Sequence, residues 1–236
     1  MAQARCGGRQ RLSRLALVAL LVVPLPAWPA AFVVTKTADT NDGLCDADCS
    51  LREAVLAANA SPGADGIEIP AGLYVLTRSG ALEDAADTGD LDLTGPTTLT
   101  GAGAALSIVD GAGSDRLIDV INADVAVTGL TLRNGSALGD SGGAIAVAGG
   151  ALTLDGVALE DSFADLFGGG VAAEAAGLTV VNSTLSGNTA ASFGGGLYHK
   201  GFTRPLELRS STLSGNGAAR GGGIFVDLEC GYLPGE

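Results

Sequence analysis

From Ile67 onward the chain places apolar residues at every second position in short bursts: Ile67/Ile69, Leu73/Val75, Leu91/Leu93, Thr97/Leu99, Ile108 and Ile118/Val120. A period of two is the mark of a half-buried strand. Glycine turns such as Gly101-Ala102-Gly103 and Gly111-Ala112-Gly113 hold each burst to a few residues. From Val125 the bursts fall into three interleaved series. Gly143-Ala144-Ile145 returns at Gly169-Gly170-Val171, Gly195-Gly196-Leu197 and Gly222-Gly223-Ile224, in steps of 26, 26 and 27 residues. A second series is Val125/Val127, Leu152/Leu154, Leu178/Val180 and Leu206/Leu208; a third is Leu130/Leu132, Val157/Leu159, Ser183/Leu185 and Ser211/Leu213.

Three alternating segments per period of about 26 residues predict an all-β fold, a right-handed parallel β-helix with three short strands per coil. A leucine-rich repeat has a similar period, but half of its unit is an irregular or helical return, and here the return is a glycine triplet followed by more alternation. Asn188 and Asn216 recur at one corner, where stacked amides form a ladder or tolerate a left-handed backbone. The acidic stretch Ser79 to Asp90 lacks alternation and is expected to leave the stack as an exposed loop.

Ahead of the first coil the period changes. Phe32-Val33-Val34-Thr35 reads as a short strand, and an Asp/Asn-rich loop, Asp39 to Cys49, leads into a helix. Ser50 with Glu53 three residues on forms a capping box, Leu51, Ala54, Val55 and Ala58 share one face, and Ser61-Pro62-Gly63 ends the helix near Asn59. This short helix is placed to plug the open N-terminal end of the solenoid, whose unpaired strand edges would otherwise invite aggregation. The pattern stops less than one period after Ile224, as expected of a scaffold truncated at its C-terminus.

The first 31 residues read as a signal peptide: Arg5, Arg9, Arg11 and Arg14 precede the apolar run Leu15 to Leu25, with cleavage expected between Ala27 and Ala31. The organisation is therefore a signal peptide (1–31), an N-terminal cap (32–63) and β-helix repeats (64–236). With 37 glycines and 4% aromatic residues in a chain that is 47% hydrophobic, the core must be thin layers of Leu, Val, Ile and Ala. The net charge of −13, more negative still without the leader, disfavours nucleic acid and anionic lipid as partners. Past the leader the cysteines are Cys45, Cys49 and Cys230; in an oxidising compartment the local pair Cys45/Cys49 is the natural disulfide, and Cys230 is left over. A zinc site is the weaker alternative, because two thiols and the distant His199 do not close a tetrahedron.

The string Cys45-Asp46-Ala47-Asp48-Cys49-Ser50-Leu51-Arg52-Glu53-Ala54-Val55, preceded by Thr37 to Gly43 and followed by Pro62-Gly63-Ala64-Asp65, resembles the CSLREA domain. The resemblance implies the N-terminus of an exported bacterial β-helix protein. The repeats Ser186-Gly187-Asn188 through Gly196-Leu197 and Ser214-Gly215-Asn216 through Gly223-Ile224, with Gly142-Gly143-Ala144-Ile145, resemble those of the chlamydial polymorphic outer-membrane protein family. That likeness implies a secreted or surface, adhesin-like molecule.

Three groups of residues carry candidate chemistry. Asp39, Asn41, Asp42, Asp46 and Asp48 could gather a hard cation such as Ca²⁺, the one cofactor the sequence suggests; the loop misses EF-hand spacing, and a solvated loop stapled by Cys45 and Cys49 is the simpler reading. Arg52 and Glu53 read as structural, Glu53 in the capping box and Arg52 paired with the acidic loop. His199, Lys200 and Arg204 lie where Leu197 to Leu206 spans nine residues against seven in earlier coils, so an inserted binding loop is expected there, with a packed or solvated His199 as the simpler alternative.

No catalytic residue is assigned, because the acids Asp155, Glu160, Asp161, Asp165 and Glu174 have no basic partner at matching coil positions. The expectation is a secreted or cell-surface β-helix scaffold binding an extracellular protein or carbohydrate, with no membrane insertion past the signal peptide. The alternative is a carbohydrate-active enzyme with the pectin-lyase-like fold, acting on polysaccharide.

Overall fold

Parallel strands in register stack coil upon coil in the computed structural model, which describes residues 28–80, 84–201 and 204–228. Most of the stretch 1–31, expected from the sequence to be a signal peptide, and Cys230 lie outside the described residues. Sheet A has seven strands: Ala31–Val33, Asp65–Ile69, Thr97–Gly101, Asp124–Thr128, Ala151–Asp155, Gly177–Val181 and Leu206–Arg209. Sheet B has six: Gly72–Val75, Ser107–Asp110, Thr131–Arg133, Ala158–Glu160, Thr184–Ser186 and Thr212–Ser214. Sheet C also has six: Leu91–Leu93, Ile118–Ile121, Ile145–Ala148, Val171–Glu174, Leu197–Lys200 and Ile224–Asp227. This is the right-handed parallel β-helix that the repeat predicts, with one helix, Leu51–Ala60.

A fourth sheet, D, runs Ser136–Ala137, Phe163–Ala164, Thr189–Phe193 and Gly217–Arg220 between sheets B and C. Its first two strands have two residues each and its last two are mostly Ala, Ser, Thr and Gly, so no apolar alternation registers in the sequence. Sheet D leads into the glycine triplets, which turn the chain into sheet C. A Cβ on Gly195 would fall into the carbonyls of Gly217 and Gly222, so this corner admits only glycine.

The inward rows follow from the alternation. In sheet C, Leu91, Ile118, Ile145, Val171 and Leu197 stack in register and are all buried. In sheet B the phase of the first two strands differs from the sequence reading: Leu73 is exposed and Tyr74 is buried, in register with buried Val109 rather than Ile108. A tyrosine can turn inward there because its hydroxyl donates to the Pro70 carbonyl at 2.8 Å. At the corner after sheet B, fully buried Asn188 accepts from Ser162 N–H at 3.1 Å and donates to Leu159 O at 2.9 Å; Asn216 repeats the pattern one coil on, accepting from Asn188 N–H and donating to Leu185 O.

The helix packs against the first strands of sheets A and C with Leu51, Ala54, Val55 and Ala58 buried. Its capping box is complete, the Ser50 side chain accepting from Glu53 N–H and the Glu53 carboxylate accepting from Ser50 N–H. Burial pushes Glu53 up, but hydrogen bonds from Ser50 and Asp42 N–H and the Lys36 ammonium outweigh it and hold the carboxyl below its ordinary range. Among the described residues no helix is long and apolar enough to cross a membrane.

Arg52 is fully buried on the same helix. Its guanidinium donates to Asp39 at 2.7 and 3.4 Å, to Ala86 O at 2.9 Å, to Asp90 O at 3.1 Å and to Gly89 O at 2.8 Å. Asp39 also accepts from Thr77 and Arg78 N–H. The stretch read as an exposed loop is thereby corrected: carbonyls of residues 86, 89 and 90 are drawn onto the buried cation, and Ala86 and Asp90 are themselves buried.

Removing one partner of a buried, hydrogen-bonded ion pair leaves the other uncompensated, at a cost of about 3–5 kcal/mol. Arg52→Met is therefore expected to lower stability by about that amount in urea unfolding, and Arg52→Lys to restore little, since an ammonium cannot span the carboxylate and three carbonyls at once. A loss under about 1 kcal/mol would contradict this role.

Candidate functional site on the outer face of sheet C

In a parallel coil-on-coil register, an outward residue stands about 4.8 Å from its counterparts in the coils above and below. The outward row of sheet C reads Asp92, Asp119, Ala146, Ala172, Tyr198, Phe225. A second outward row reads Ile121, Ala148, Glu174, Lys200, Asp227. The face thus passes from acids, across an alanine floor, to aromatic rings.

Asp92 and Asp119 flank one another on neighbouring strands, and Asp84 joins them from the folded-back loop; one carboxylate oxygen of each lies within 4.8 Å of the others. Arg116, just before the strand of Asp119, binds Asp90 at 2.9 Å, Asp140 at 3.3 Å and the Ser141 carbonyl at 3.0 Å, and stands 3.9 Å from Asp119. Burial pushes the Asp119 carboxyl up to about 6; the neighbouring charges of Asp90, Asp84 and Asp140 add to this and Arg116 opposes it. Asp119 Oδ1 is buried without a hydrogen-bond partner among the described residues. Three carboxylates are hard oxygen donors of the kind Ca²⁺ takes, while Arg116 already supplies positive charge to the cluster.

Beside this cluster lies a cavity of about 200 Å³, floored by Ala146, Ala148 and Ala172 and rimmed by Asp119, Asp140, Ser141 and Glu174. Past Ala172 the row continues into rings in near-parallel contact: Tyr198 stacks on Phe167 at 4.6 Å, and Phe225 on Phe193 at 4.6 Å, with Arg220 over Phe193 at 5.7 Å. The Tyr198 hydroxyl donates to Asp227 at 3.2 Å.

The residues singled out in the sequence lie elsewhere. Cys45 and Cys49 form the disulfide. The candidate cation ligands are occupied locally: Asp39 by Arg52, Asn41 by Gly43 N–H and Asp87, Asp42 by Leu44 N–H, Asp46 by Asp48 N–H, and Asp48 by Lys36. None of the three carboxylates that converge within 4.8 Å comes from this loop. His199 is not on a projecting loop: it lies in the strand Leu197–Lys200, two residues after inward Leu197, and is buried with Nε2 3.1 Å from the Ala176 carbonyl. Lys200 ends that strand on the outward row, and Arg204 is exposed beyond it.

Asp92, Arg116, Asp119 and Asp140 were not identified from the sequence. Asp92 and Asp119 carry a signal, an acid between two inward apolar residues, Leu91/Leu93 and Ile118/Val120, repeated at one coil spacing; Arg116 and Asp140 carry none.

No protein-family model matches the chain, and no curated protein does. Among solved structures, the A-module of the Azotobacter vinelandii mannuronan C-5 epimerase AlgE6 is similar at 14% identity, over 83% of this chain and 98% of that one, with a TM-score of 0.22.

With its pKa raised from 3.8 to about 6, Asp119 holds its proton more tightly in the folded than in the unfolded chain. Its contribution to stability therefore falls as pH rises from about 4 to about 6. Relative to the parent, Asp119→Asn is expected to gain about 1–2 kcal/mol at pH 7 and nothing below pH 4, read by urea unfolding at both values. An equal difference at the two pH values would contradict the assignment.

Proposed function

We propose that this protein is an exported, secreted or cell-surface β-helix scaffold, adhesin-like in action, that binds an extended extracellular partner along the outer face of sheet C. The observation that carries this reading is the floored and rimmed groove on that face, next to the Asp92/Asp119 pair and in line with the aromatic stack. An extended partner lying along the solenoid axis meets acids, then the alanine floor, then aromatic rings in successive coils. Export rests on the basic and apolar pattern of residues 5–25, and the CSLREA-like string supports the same placement.

A second reading, a carbohydrate-active enzyme, is favoured by one observation: Asp119, with its raised pKa, stands 3.9 Å from Arg116 at the edge of the groove. A carboxyl still partly protonated near neutral pH is suited to general-acid work. Incubation with polysaccharides and assay for unsaturated product or new reducing ends separates the two readings. The scaffold reading expects no turnover; turnover lost in Asp119→Asn would replace it.

Ala148 is exposed at the groove, and an arginine there both fills the floor and meets the rim acids. Ala148→Arg is expected to reduce attachment of labelled protein to cells and polysaccharide-coated surfaces at least tenfold. Thr153→Arg, equally exposed but on sheet A, is expected to leave it unchanged. Equal effects of the two would remove the groove from the account.

A further inference from the structure

The groove's polar inventory restricts its ligand. Ionised carboxylates only accept hydrogen bonds, and three of them, on Asp119, Asp140 and Glu174, surround the alanine floor. The donors on hand are already engaged: Arg116 spends its guanidinium on Asp90, Asp140 and the Ser141 carbonyl. Lys200, one coil on, lies in register between Glu174 and Asp227. The face is therefore acceptor-rich and anionic, with Asp84, Asp90 and Asp92 adding negative charge behind the rim. A polyanion is repelled by it. The fitting ligand is rich in donors and carries positive charge.

Resting on the surface-binding reading above, we infer that the occupant is a glycan bearing free amino groups, a glucosamine-type polymer. Its ammonium groups would meet Asp119, Asp140 and Glu174, its hydroxyls would donate to the same oxygens, and its ring faces would lie on Ala146 and Ala148.

A basic peptide offers the same charge but fits less well. The backbone N–H and C=O groups of interior sheet C strands are paired with the coils on either side, so the face offers a peptide main chain no strand pairing and would hold it by side-chain charge alone. A glycan has no such backbone. The cavity, at about 200 Å³, is smaller than a drug-sized pocket and is lined by three successive coils, which suits one sugar ring of a longer chain.

The test is calorimetric titration of the full chain with soluble β-linked glucosamine oligomers, their N-acetylated counterparts, oligouronates and a lysine-rich peptide of equal charge. The glucosamine oligomers are expected to bind at least tenfold more tightly than the N-acetylated ones, and the oligouronates not at all. Glu174→Gln, at an exposed side chain outside the Arg116 ion pairs, is expected to weaken glucosamine binding severalfold with an unchanged thermal midpoint. Equal binding of N-acetylated oligomers would overturn the amine assignment, and an equally tight peptide acting through the same carboxylates would overturn the glycan. If no oligomer binds while Ala148→Arg still abolishes surface attachment, this inference falls and the surface-binding reading survives. If Ala148→Arg has no effect on attachment either, both fall.

Discussion

The constraint on which the rest depends is register. Because each coil hydrogen-bonds in parallel to the next, every position is copied about 4.8 Å further along the axis, and inward and outward rows are fixed for the whole stack. A slip of one residue would turn Leu91, Ile118 and Ile145 outward and aim the carboxylates of Asp92 and Asp119 into the apolar interior of the coil. The corner ladders hold against that slip. Asn188 and Asn216 bind backbone groups in the coil before and link to one another, so each satisfies buried peptide groups only at the native offset. The apolar rows supply the burial; these amides select which alignment of coils it stabilises.

The cap and the groove are joined through two cations that share Asp90. Arg52 reaches from the helix to the carbonyls of residues 86, 89 and 90, and the carboxylate of that same Asp90 holds Arg116. Arg116 in turn stands against Asp140 and Asp119 at the groove. The Arg52, Glu53 and Asp39 chemistry of the N-terminal segment thus closes the first coil and sets the edge of the face that the next coils extend. The disulfide Cys45/Cys49 ties the loop that carries Asp39 into the same arrangement.

The solenoid was legible because its inward rows are Leu, Val and Ile at fixed offsets, and the hydrophobic effect needs no more than that pattern. The helix and its capping box were legible for the same reason, from local spacing alone. The phase of Leu73/Val75 was misread because tyrosine is amphipathic and enters the core once its hydroxyl finds the Pro70 carbonyl. Ser79 to Asp90 was misread because its acidity says nothing of a buried guanidinium contributed from 34 residues away, the separation of Arg52 and Ala86. His199 was placed on a loop by counting the insertion after it, although its offset of two from Leu197 already put it inside. The groove acids were missed because the outward row is built from unlike residues, acids then alanines then rings, and its unity lies only in the stacking.

The central claim is that the outer face of sheet C, and no other face, meets the ligand. Esterification of carboxylates by a diazo reagent, which does not couple them to amines, with mass-spectrometric readout and with and without saturating glucosamine oligomer, tests it most directly. The account predicts protection of Asp140 and Glu174, which line the groove, with unchanged labelling of Asp155 and Glu207 on sheet A. Protection of the sheet A acids with Asp140 and Glu174 left reactive would contradict it.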